Sequence, residues 1–138
     1  MTTPENTFIA SVHAHLPPPS KLYRMKNHNA YTAGVADSWY SGQGPGSRDL
    51  WIEWKFIKVP VRDDTLIVPN LSALQTDWLN ERYVEGRNVW VGIGSKDGGI
   101  FLHAREWEQP FSAKEFRRTM FKRKELASMI ASFVQGSG

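Results

Sequence analysis

The chain reads as an α/β protein, a central mixed β-sheet of roughly five strands flanked by helices on both faces. Three observations lead there. Segments with apolar residues at helical spacing alternate with short β-branched and aromatic runs, in the order α, β-β-β, α, β-β, α. A length of 138 residues suits one domain with one hydrophobic core. No internal repeat, low-complexity tract or linker interrupts it.

Thr3-Pro4-Glu5 opens the first helix with a hydroxyl cap, a first-turn proline and an acid near the positive helix end. Phe8, Ile9, Val12 and Leu16 follow at helical spacing until Pro17, Pro18 and Pro19 stop it. Residues 21–26 alternate as a strand with its basic side chains exposed. Residues 35–40 and 49–56 form a hairpin around the glycine-rich turn 41–47. Helical spacing returns at Leu71, Leu74, Trp78 and Leu79, with Gly86 as the stop. Residues 88–94 and 100–103 read as two more strands around an Asp97-Gly98 turn. Ser112 and Glu115 have capping-box spacing and open a long basic C-terminal helical segment, 112–134.

Hydrophobic content of 41% and charged content of 22% are ordinary for a globular protein, and a net charge of +3 is only mildly basic. The absence of cysteine excludes disulfides and thiolate metal sites. No run is apolar enough to span a bilayer and no signal-peptide pattern is present, so no membrane partner and an intracellular, cytoplasmic location are expected.

The chemistry concentrates on the hairpin. On a strand over 49–56, Glu53 and Lys55 share one face while Leu50, Ile52 and Trp54 share the other. If paired positions sum to 90, Asp37 lies opposite Glu53, with side-chain bases roughly 5 Å apart. A sum of 89 would turn Asp37 to the other face. Two carboxylates can hold Mg²⁺ or Mn²⁺ through hard oxygens. A metal so held polarises a phosphate and activates water, and a lysine beside it stabilises developing charge or orients that water. Without metal the two acids repel, and one should bind a proton more tightly than usual. A Glu-x-Lys triplet is also what a solvated strand face looks like.

Gly34-Val35-Ala36-Asp37, the turn, Trp51-Ile52-Glu53-Trp54-Lys55-Phe56, then Leu74-Gln75 with Trp78-Leu79, then Gly86 and Val89–Val91 together resemble the PD-(D/E)xK nucleases. The flavour is that of compact Holliday-junction-resolvase-like and VRR-NUC-like endonucleases, often met in phages. The resemblance spans roughly residues 5–103. It implies a restriction-endonuclease-like fold, metal binding by Asp37 and Glu53, catalysis by Lys55 and a supporting role for Gln75. It also implies a site role for Glu5, which would otherwise simply complement the helix dipole. Ala36 stands where the family usually has proline before the first acid. Asp49 is a rival acid, set too near Glu53 on the same strand to fill the first position.

His13, His15, His28 and His103 lack structural-zinc spacing; His28 lies in the polar loop nearest the proposed site. Gly92-x-Gly94 and 97–99 read as a hairpin rather than a phosphate loop. Lys21, Arg24 and Lys26 on the first strand, with Lys114, Arg118 and Lys122 at i, i+4 spacing on the last helix, are the expected DNA-contacting cations. Phe116, Met120 and Phe121 on that helix offer a homodimer surface. The functional expectation is a divalent-metal-dependent, structure-directed DNA endonuclease. The rivals are a site-specific homing or restriction-like endonuclease and a catalytically silent DNA-binding or assembly module.

Overall fold

The computed structural model describes residues 3–27 and 34–135. Helix α1, Pro4–His13, is capped by the Thr3 hydroxyl and buries Phe8, Ile9 and Val12. Strand β1, Tyr23–Lys26, follows, then β2, Ser38–Ser41, and β3, Asp49–Phe56. The short β4, Leu66–Ile67, precedes α2, Ala73–Val84, which crosses to β5, Val89–Ser95. A tight turn leads to β6, Gly98–Leu102. A 3-10 turn at Glu106–Glu108, β7 (Phe111–Ser112), α3 (Ala113–Thr119) and α4 (Arg123–Gln135) complete the chain.

The five-stranded sheet has the order β1-β2-β3-β5-β6, and β4 pairs with β7 in a separate two-stranded ribbon. Only β3 and β5 run parallel; the other neighbours in the large sheet are antiparallel, so it is mixed as expected. Strand alternation sends the side chains of β3 and β5 to two different cores. Leu50, Ile52, Trp54 and Trp90 meet α1 and α4 on one face. Val89, Val91 and Ile93 meet Leu79 of α2 and Phe116 of α3 on the other. Burial of each such side chain contributes about 1.5–3 kcal/mol.

Four expectations are corrected. On β1 it is Tyr23 and Met25 that stand exposed, at 51% and 52%, whereas Arg24 and Lys26 turn inward. Arg24 donates to the carbonyls of Pro17, His13 and Leu22, and Lys26 to Asn6. The His13 carbonyl at the end of α1 and two carbonyls of the segment after it, Pro17 and Leu22, claim the guanidinium.

The C-terminal helical segment is two helices. At Met120 the backbone turns extended, and Phe121 forms a two-bond β-bridge with Gly99 at the edge of β6. Lys122 therefore lies in the break and shares no helical stripe with Lys114 and Arg118. Phe116 is fully buried, which removes it from any dimer surface, while Phe121 stays 39% exposed. The β4–β7 ribbon and the 3-10 turn had no counterpart in the sequence reading.

Candidate active site

The hairpin register is the one that favours a site. Ser38 pairs with Ile52 and Tyr40 with Leu50, so paired positions sum to 90 and Asp37, one residue before β2, faces Glu53. The Trp54 backbone N–H donates to the Asp37 carboxylate, and the Asp37 N–H donates to that of Glu53. The two acids are thus laced together through the ladder itself. The Ser38 hydroxyl donates to Asp37 Oδ1 at 3.2 Å and is fully buried.

Glu53 is 4% exposed, and its Oε2 meets Lys55 Nζ at 3.8 Å and Gln75 Nε2 at 3.2 Å. Gln75 is held in turn: its Oε1 accepts from the Ser72 N–H at 2.9 Å while the Ser72 hydroxyl caps α2 by accepting from the Gln75 N–H at 3.1 Å. This capping box gives the amide its orientation, leaving the NH₂ end for Glu53.

Burial, Asp37's charge and Glu5's charge push Glu53 up to about 8, against an opposing pull from Lys55. Burial, then Glu5's charge, raises Asp37 to about 6. The pair shares more negative charge than its surroundings neutralise. Glu5, half-buried on the first turn of α1, joins the site through its charge on both acids. Among the described residues, no three of His, Asp and Glu come together as a ready-made metal cluster. A buried and a half-buried carboxylate, under-compensated together, nevertheless fit a hard divalent cation that keeps several waters. Asp37 and Glu53 would hold it.

Behind Asp37 runs a polar network that the sequence reading missed. Tyr40, fully buried, accepts from Trp54 Nε1 at 3.1 Å, and its hydroxyl lies 2.6 Å from His13 Nε2. Burial first, then the charges of Arg24 and Lys26, lower His13 to about 4, so the neutral ring accepts the Tyr40 proton. Strand alternation from Asp37 could have flagged Ser38 and Tyr40 as inward-facing. The His13 partnership has no sequence signal.

Asp49 sits at the far end of β3, hydrogen-bonded to Ser41, and takes no part in the site. His103 packs edge-on against Trp90. His28 lies outside the described residues. Gly92 and Gly94 belong to β5, as the hairpin reading required. Among the expected DNA contacts, Lys21 and Lys122 are exposed, and Arg118 is exposed but pairs with Glu115.

No family model and no curated sequence matches the chain. In fold it is similar to the solved structure of Archaeoglobus fulgidus Hjc, a Holliday junction resolvase from an archaeal hyperthermophile. The TM-score is 0.51 at 14% identity, covering 91% of this chain and 97% of that one. At so low an identity the similarity is one of fold. The five-stranded mixed sheet with helices on both faces is accordingly α/β and restriction-endonuclease-like.

Proposed function

We propose that this protein is a divalent-metal-dependent endonuclease acting on branched DNA. The observation that carries the reading is the meeting of Asp37, Glu53, Lys55 and Gln75 on one face of the β2–β3 hairpin. The fold neighbour, itself a Holliday junction resolvase, supports DNA junctions as the substrate class. Asp37 and Glu53 hold Mg²⁺ or Mn²⁺, which when bound supplies Lewis acidity toward the phosphate and lowers the pKa of water. Lys55 stabilises the charge that develops on the phosphate or orients the attacking water. Gln75 fixes the Glu53 carboxylate, and Glu5 adds to the negative field that attracts the cation. Two strands must be cut to resolve a junction, so the working form in this reading is a homodimer.

The test is cleavage of a four-way junction, a linear duplex and supercoiled plasmid with Mg²⁺ or Mn²⁺. Wild type should cut the junction preferentially, and Lys55→Ala and Glu53→Ala should each lose at least a hundredfold in rate. One defined cut site in linear DNA would favour a site-specific enzyme instead. No cutting, or cutting that survives both substitutions, would leave a silent binding module.

A further inference from the structure

Directly beyond Lys55 the chain enters a groove that the sequence-level choice of basic residues overlooked. Two cavities, of about 300 and 500 Å³, adjoin at the C-terminal ends of β3 and β5 and share Phe56 and Lys96 as lining residues. Arg123 completes the wall of the first, and Lys58 and Arg117 that of the second. Arg117 is committed to Asp63 at 2.8 Å and to the Pro60 carbonyl. Lys58, Lys96 and Arg123 form no ion pair among the described residues. Arg123 is nevertheless fixed: both terminal nitrogens donate to the Lys96 carbonyl at 3.2 Å, and its guanidinium lies 4.9 Å over the Phe8 ring.

We infer that this groove is where the sugar–phosphate backbone of a DNA strand lies as it enters the site, with Lys58 and Lys96 taking the phosphates and the fixed Arg123 adding positive charge to the wall. The inference rests on the nuclease reading for its substrate, but its observations are separate. Two uncommitted lysines, Lys58 and Lys96, stand on one continuous surface beside the fixed Arg123, over an apolar floor formed in part by Phe56. That combination suits a chain of anionic groups joined by apolar sugar faces. Lys58 is three residues from Lys55, so at most about 10 Å of extended chain separates the groove from the catalytic lysine. Arg24 and Lys26 are tied to protein acceptors, which leaves them poorly placed to serve the same purpose. The one acid on the wall is the exposed Asp97, at the tip of the β5–β6 turn.

The experiment is fluorescence anisotropy of a labelled four-way junction with the full chain in EDTA, across 50–200 mM salt. The double variant Lys58→Ala/Lys96→Ala, both at exposed positions, should bind on the order of tenfold more weakly, with a salt slope shallower by about 2. Asp97→Asn should bind about twofold to threefold more tightly. The double variant Lys21→Ala/Arg118→Ala, on exposed cations elsewhere, should bind like wild type. Equal weakening of both double variants, loss confined to the Lys21/Arg118 pair, or no junction binding by wild type would each overturn the groove. Glu53→Ala reports on the other reading: it should bind as wild type does and fail to cut. Groove-dependent binding by a wild type that cuts nothing would sink the nuclease and leave the groove standing.

Discussion

A single amide gives the sharpest residue-scale test, because Gln75 closes the capping box of α2 with one end and holds Glu53 with the other. Ser72→Ala and Gln75→Ala should each cost about 1 kcal/mol of stability through the lost cap. Only Gln75→Ala frees Glu53, so only it should lower the cleavage rate, by roughly tenfold to a hundredfold. Equal rates in the two variants would reduce Gln75 to a capping residue. The acids themselves predict a pH effect on the metal-free protein. Folded Glu53 and Asp37 are raised to about 8 and about 6, so the native state holds protons that the unfolded chain releases. Stability is then lost as pH rises toward about 8. His13 and His103 are lowered and act in the opposite sense, but only below about 6.5. Between pH 7 and 8.5 the melting temperature in EDTA should therefore fall, and fall less in Glu53→Gln. At this scale the juxtaposition of Asp37, Glu53 and Lys55 was legible from alternation and turn placement, whereas Gln75 on α2 was pointed to only by the family resemblance. The inward-facing neighbours of the acids were not legible, since the His13–Tyr40 bond joins residues 27 apart in sequence.

At the scale of the element, β5 shows why two glycines stand in the central part of the sheet. A Cβ at Gly92 would lie 2.5 Å from the Trp54 ring, and one at Gly94 2.5 Å from the Phe8 ring. Both aromatic rings lie directly on the strand backbone. Gly92→Ala should destabilise by about 1–3 kcal/mol through overpacking, measured by urea denaturation, whereas Gly86→Ala meets no neighbouring atom and instead strains a positive φ of 81°. Helix and strand positions were largely readable from periodicity and caps: Thr3, Ser112 and the turn at 41–47 all do what their residue types indicate. The break between α3 and α4 was not readable. Residues 113–134 keep helical composition throughout, and the break comes from a distant partner, the Gly99 edge that Phe121 bridges. The inward turn of Arg24 and Lys26 has the same kind of cause, acceptors on α1 and the loop after it.

For the whole molecule, the fold class followed from the order of elements; the structure adds that β3 and β5 run parallel, which the helix between them allows. The charge distribution did not follow, because +3 spread over 138 residues says nothing about which cations remain uncommitted. Among the described residues no helix is long and apolar enough to cross a membrane. A metal that binds only the assembled site should stabilise the entire fold. Saturating Mn²⁺ at about 100 times its Kd should add about 2.7 kcal/mol and raise the melting temperature of wild type but not of Glu53→Gln. An equal rise in both would move the metal elsewhere.

One clasp binds these scales together. The Arg48 N–H at the β2–β3 turn donates to the Val134 carbonyl at 2.8 Å, the Gln43 N–H reaches the Gln135 side chain at 3.3 Å, and Gln135 also holds the Lys21 carbonyl. Gly42 lies so close to Val134 that no side chain fits there. The turn that sets the register of Asp37 against Glu53 is therefore locked by residues made about 90 positions later, some 5–20 s of ribosomal synthesis. A nascent chain carries Asp37, Glu53 and Lys55 well before the clasp that fixes their register can form.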